Sequence, residues 1–200
     1  MKTIGIIGGI GSGKSEVTAY LAKHYKAYVI IADLIGHEIL LKGNPAYQTI
    51  LQKFGSGILN LEGEINRAAL GDIVFHDTSA LTWLNDTTHP LIYQRIVEMI
   101  QEAKLSAEYD FIVLESAIMT DPKWLQLVDM VWLITCSDTE RIKRLVKSRP
   151  LTQEKIQSIL ANQKSEIEYK TYADIIIDNS YDLQKTYHQV KLEITKVLEA

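Results

Sequence analysis

Eight consecutive residues, Gly8-Gly9-Ile10-Gly11-Ser12-Gly13-Lys14-Ser15, have the types and spacing to hold phosphate. Glycines let backbone N–H groups converge on an anion without obstruction by Cβ, and a helix that follows adds the positive end of its dipole. A lysine there reaches the outer phosphates, and a serine hydroxyl after it ligates Mg²⁺. The bland alternative, a glycine-rich turn joining strand to helix, does not require Lys-Ser at this spacing. Gly11, Ser12, Gly13, Lys14, Ser15 and the backbone N–H of Glu16 are therefore the expected nucleotide ligands, with Ser15 the metal ligand.

Two carboxylates follow on later apolar stretches. Asp33 ends "YVIIAD", where it either deprotonates a hydroxyl that attacks a γ-phosphate or caps the helix "LIGHEILL". Those two readings weigh about equally on the residues alone. Glu115 ends "DFIVLES", where it positions a metal through water, contacts substrate, or simply ends a buried strand.

The run "SDTERIKRLVKSRP" carries Arg141, Lys143, Arg144, Lys147 and Arg149. Such runs are usually solvated helix faces, but arginines on a closing segment also stabilise a transferring phosphoryl group. Arg144 and Arg149 are the candidates for that role, with Pro150 marking a bend. His89, before Pro90 in "NDTTHPLIYQR", reads as a helix-start or core residue.

These residues need a scaffold that brings strand ends to one edge. Short, continuous apolar strands are expected at Thr3–Ile7, Tyr28–Ile31, Phe111–Leu114, Val128–Thr135 and Ile175–Asp178, with helices between them. Leu183, Tyr187, Val190, Ile194 and Val197 recur at helical steps and predict a terminal helix against the sheet. Between Asp33 and Asp110 the periodicity is helical, for example over Ile92, Ile96, Met99, Ile100 and Ala103, with no convincing strand. The expected fold is a three-layer α/β/α sandwich around a parallel five-stranded sheet, with ligands at the carboxyl ends of the strands.

The chain has 200 residues, a formal net charge of −4 and one cysteine, Cys136. This suits one α/β domain with an insertion, without a disulfide framework or a paired-cysteine metal site. No basic cluster suggests nucleic acid, and no apolar run reaches the roughly 20 residues of a membrane span. The expected partners are small molecules, with no nucleic acid or membrane. The start lacks a signal-peptide pattern, so the expected location is the cytoplasm.

Taken together, the chain resembles the dephospho-CoA kinase family, a group of P-loop kinases. "IGIIGGIGSGKSEV", "VIIADLIGHEIL", "INRAALGDIVFHD", "LNDTTHPLI" and "YADIIIDNS" are each similar to elements of that family. The resemblance implies ATP-dependent phosphorylation of the ribose 3′-hydroxyl of dephospho-CoA, the last step of coenzyme A synthesis, with Mg²⁺. It implies that Asp33 activates that hydroxyl, and that the insertion from Arg67 to His89 helps form the acceptor site. It further implies that Asn179 belongs to the nucleotide site and that the segment from Arg144 to Gln163 is a lid. On this view the core spans about 1–33, 108–142 and 173–200, the insertion about 34–107 and the lid about 143–172. The assembly expected is a monomer or weak homo-oligomer.

Three departures stand out: Glu16 replaces the family's frequent Thr, "ESAIMTDPKW" lacks its Phe-Glu pair, and the lid reads "RLVKSRPLT" without an Arg-Asp pair. The alternative activity is another P-loop small-molecule or nucleoside monophosphate kinase. A GTP-dependent switch is disfavoured because no Asn-Lys-x-Asp element is present.

Overall fold

The computed structural model describes residues 1–117, 119–148, 156, 160 and 163–199. The backbone divides into two compact units, one made of Met1–Ile30 with Gln101–Ala200, the other of Ile31–Ile100.

The first unit is built on five strands, β1 (Lys2–Ile7), β2 (Ala27–Ile31), β3 (Phe111–Glu115), β4 (Met130–Thr135) and β5 (Ile175–Asp178), in the order β2-β3-β1-β4-β5. β1 pairs in parallel with both β3 and β4, and β4 with β5. Every residue of β3, and every residue of β1 after Lys2, is buried. Burial on both faces is why these strands read as continuous apolar runs instead of alternating ones.

One face carries helix α1 (Lys14–His24) and the C-terminal helix. Val17 and Leu21 pack with Ile4, Ile6, Phe111, Trp132 and Ile134 of the sheet and with Val190, Ile194 and Val197 of that helix. Order 3-1-4 leaves the end of β1 flanked by strands reached in opposite directions, the place where α/β sheets open a crevice.

The strand starts are fixed by aspartates. Thr3 N–H donates to Asp129 Oδ2 at 2.7 Å, and Val131 N–H donates to Asp174 Oδ2 at 2.7 Å. This shortens the fourth strand relative to the sequence expectation: Asp129 turns to the backbone of Thr3, Val128 packs over Gly5, and the ladder begins at Met130.

The second unit is helical. After β2 come α2 (Ala32–Glu38), α3 (Pro45–Phe54), a 3-10 turn (Ser56–Ile58), α4 (Arg67–His76) and α5 (Thr78–Ser106), whose last six residues belong to the first unit. Its extended pairing is a single antiparallel bridge, Leu59–Ile65. Tyr47, Ile50, Ile58, Leu70 and Ile96 are among its buried side chains. Asn66 caps α4, its side chain accepting from the N–H groups of Ala68 at 3.0 Å and Ala69 at 3.3 Å.

Further along, the chain forms α6 (Pro122–Leu125), α7 (Asp138–Ser148), α8 (Glu166–Lys170) and α9 (Leu183–Glu199). In α9 the buried stripe is Thr186, Val190, Ile194 and Val197, whereas Leu183 is 41% exposed.

Candidate active site

The loop after β1 takes shapes that only glycine accepts cheaply. Gly8 has φ +147, and a Cβ there would lie 2.4 Å from the Ile134 carbonyl oxygen. Gly13, the N-cap of α1, has φ +97, and a Cβ would meet Asn179 Nδ2 at 2.0 Å. α1 has no side-chain cap, so its first turn offers backbone donors and the dipole's positive end to an anion.

Lys14 Nζ donates to the carbonyl oxygens of Gly8 at 2.8 Å and Gly9 at 3.3 Å, so the ammonium lies across the loop. The Ser12 hydroxyl is buried within the loop with no hydrogen-bond partner. Ser15 Oγ donates to Glu115 Oε1 at 3.3 Å, and Thr18 Oγ1 donates to Glu115 Oε2 at 2.9 Å. Glu115 is thus 9% exposed at the end of β3 and held against α1 by two hydroxyls.

This oxygen set suits a hard cation. Among the described residues no cluster of three or more His, Cys, Asp or Glu could hold a metal alone. Mg²⁺ in phosphate sites needs no such cage, taking one or two protein oxygens with waters and substrate phosphates.

A clasp closes on the loop from α7 and from Gln163. Arg141, its side chain 15% exposed, donates from Nε to the Ile10 carbonyl at 3.3 Å, from Nη1 to Asp138 at 3.2 Å and from Nη2 to Gln163 Oε1 at 3.4 Å. The same Gln163 oxygen accepts from Ile10 N–H at 2.9 Å. A Cβ on Gly9 would lie 2.5 Å from Arg141 Nη2, the movable end of that side chain, so the guanidinium packs directly over the loop.

Neither Arg141 nor Gln163 is among the residues that sequence reasoning singled out. The available signal was the three-residue step from Asp138 to Arg141 to Arg144, which puts these side chains on one helix face. For Gln163→Ala we expect about fivefold weaker ATP binding, the worth of one hydrogen bond at the loop. Titration of ATP followed by intrinsic fluorescence would measure it, and unchanged affinity would remove Gln163 from the loop's support.

Arg144 Nη2 donates to the Asn179 carbonyl at 2.8 Å, beside Gly13. Asn179 is 1% exposed and braces the loop: its Nδ2 donates to the Ser12 carbonyl at 2.8 Å, and its Oδ1 accepts from Thr186 Oγ1 at 2.8 Å. Arg149 lies outside the described residues. Cys136 is buried just after β4, where burial pushes its thiol up, the wrong direction for a nucleophile.

In the helical unit, Asp33 is an exposed residue in the first turn of α2. The cap position belongs to Ile31, with no side-chain cap bond, so the helix-cap reading of Asp33 is set aside. One turn further on, His37 lies within electrostatic reach of both Asp33 and Arg67, the first residue of α4. Burial, and then the Arg67 guanidinium, push its imidazole below the usual value, while Asp33 pulls the other way. Sequence reasoning missed His37, although its spacing of four from Asp33 marks a shared face.

His89 corrects an expectation. It does not start a helix: α5 runs from Thr78 to Ser106 with Pro90 inside it. Proline removes one helical N–H donor. The hydroxyls of Thr87 and Thr88, just before it, bond to the carbonyls of Trp83 and Leu84, both at 2.8 Å.

The sequence profile of dephospho-CoA kinase matches residues 2–185. The chain belongs to the dephospho-CoA kinase family. A dephospho-CoA kinase from Carboxydothermus hydrogenoformans is 37% identical over 187 residues, 94% of this chain and 90% of the relative. One from Dehalococcoides mccartyi is 36% identical over 200 residues, 100% of this chain and 99% of the relative. The solved dephospho-CoA kinase from Campylobacter jejuni superposes with a TM-score of 0.72 at 24% identity, covering 98% of this chain and 97% of that one, a likeness in fold. The P-loop α/β fold and kinase activity expected from the residues agree with these relatives.

Proposed function

We propose that this chain phosphorylates the ribose 3′-hydroxyl of dephospho-CoA with ATP, using the loop between β1 and α1 for the nucleotide and Asp33 for the acceptor. The observation that carries the reading is the family match over residues 2–185, joined to a phosphate loop in which a Cβ on Gly8 or Gly13 would collide with its neighbours.

In this scheme Lys14 and the amides from Gly11 to Glu16 hold the β- and γ-phosphates. Ser15, with Glu115 through water, would hold Mg²⁺, which when bound offsets charge on those phosphates. Asp33 orients the 3′-hydroxyl and takes its proton as the oxygen attacks. Arg144, beside Gly13, neutralises charge on the group in transit, and Asn179 keeps the Ser12 peptide in place. Arg67 and His89 belong to the acceptor side, where cations suit the diphosphate of dephospho-CoA. Arg149 is the second lid arginine.

The transition state is loose, so most of the rate comes from positioning these groups. Residues of about 34–107 form the acceptor-binding part and about 143–172 the lid. The protein acts in the cytoplasm as a monomer or weak homo-oligomer.

A coupled ADP-release assay tests the scheme. ADP formation that requires both dephospho-CoA and Mg²⁺ is the expected result; turnover on nucleoside monophosphates with none on dephospho-CoA would overturn it.

A further inference from the structure

Glu16 puts a carboxylate in the first turn of α1, immediately after Ser15, at the helix end that the proposed function turns to phosphate. A fixed negative charge there repels a bound triphosphate unless it is drawn aside. The structure shows what draws it: the phenol of Tyr187, 171 residues away on α9, donates a hydrogen bond to Glu16 Oε1.

The partner is well fixed. The Tyr187 ring stacks on Tyr20 with centroids 4.1 Å apart and planes 11° from parallel, and Tyr20 lies one turn beyond Glu16 on the same helix. Tyr20 is itself backed by His24 at 4.5 Å. The residue before Tyr187 is Thr186, whose hydroxyl holds Asn179, which in turn holds the Ser12 carbonyl. The C-terminal helix therefore grips the loop at two adjacent points, one of them through a charge.

We propose that Tyr187 is a positioning residue for ATP: it tethers the Glu16 carboxylate to α9 and keeps that charge off the phosphates in the loop. The bond to Glu16 holds the phenol up to about 12, so it stays a donor throughout the neutral range. The proposal rests on the loop being the ATP site.

The test uses Tyr187→Phe, which keeps the ring stack and removes only the hydroxyl, together with Glu16→Gln and the double variant. Without its tether the carboxylate swings toward the loop. At separations of several ångströms in a partly screened site this repulsion is worth roughly threefold to tenfold in affinity. Tyr187→Phe should therefore raise the ATP dissociation constant by equilibrium dialysis, and KM for ATP, by about that factor. Its kcat and KM for dephospho-CoA should stay within about twofold. In the Glu16→Gln background the same substitution should change ATP affinity by less than about twofold, because the charge it controls is gone.

Unchanged ATP affinity in Tyr187→Phe would overturn the proposal. So would a penalty that persists at full size with Glu16→Gln, which would mark Tyr187 as a packing residue. Failure of the unmodified protein to bind ATP in dialysis would instead overturn the assignment of the loop.

Discussion

Asp33→Asn is expected to lower kcat by about 10²-fold or more while leaving KM for ATP within about twofold, the signature of a lost general base. Asparagine keeps the size of the side chain and its ability to accept a hydrogen bond, but it cannot take the proton from a ribose hydroxyl. The fold gives little reason for a compensating structural effect. Asp33 is exposed, α2 is capped at Ile31 without any side chain, and surface substitutions of this kind usually change stability by less than about 0.5 kcal/mol. Steady-state kinetics with each substrate varied in turn, alongside a thermal melt, separates the possibilities. A variant that melts like the original protein and turns over near-normally would remove Asp33 from the chemistry.

The second large effect is expected at Gly13. Alanine there must adopt φ near +97 and place a Cβ 2.0 Å from Asn179 Nδ2. The left-handed backbone costs about 1–2 kcal/mol. Displacing Asn179 from the Ser12 carbonyl adds about 1 kcal/mol. A loss of about 2–3 kcal/mol lowers Tm by roughly 4–12 °C in a chain of this size.

The functional loss should be larger than the thermal one, because the same collision moves the Ser12 peptide and the start of α1 together. ATP binding at temperatures well below the melt should fall by more than 10-fold, on the view that loop amides are the main phosphate ligands. Gly71→Ala is the contrasting case: nothing lies within 4 Å of a Cβ in that helical position, and alanine should stabilise the chain by about 0.5–1 kcal/mol. Differential scanning calorimetry on both variants reads the opposite signs directly.

What the residues revealed in advance was whatever local chemistry dictates. The loop was legible because only glycine tolerates Gly8's approach to the Ile134 carbonyl, so the constraint is written into the residue types. The central strands were legible because burial on both faces, as in β1 and β3, demands unbroken apolar runs. The C-terminal helix was legible as a stripe, although Tyr187, grouped with the core positions, spends its hydroxyl on Glu16.

The parts that escaped are those made by distant pairs. Gln163 meets Ile10 across 153 residues and Arg141 meets it across 131, and no spacing rule announces either bond. Arg141 looked like one more charge on a solvated face until Asp138, Ile10 and Gln163 were seen around it. His89-Pro90 looked like a helix start because proline disfavours helix interiors. A helix of 29 residues with flanking threonine hydroxyls bonded to its carbonyls accommodates it instead. On its residues alone Asp33 stands equally as cap or catalyst, and the family resemblance implies catalysis; the structure adds only that the cap position of α2 belongs to Ile31.

The central claim is that the γ-phosphoryl group of ATP ends on the ribose 3′-oxygen of dephospho-CoA. Incubation of the protein with ATP, Mg²⁺ and dephospho-CoA, followed by ³¹P NMR of the purified product, tests it most directly. The scheme predicts a new phosphomonoester resonance coupled to the ribose 3′ proton, with one ADP formed per product. Unmodified dephospho-CoA, or phosphate on any other oxygen, would contradict it.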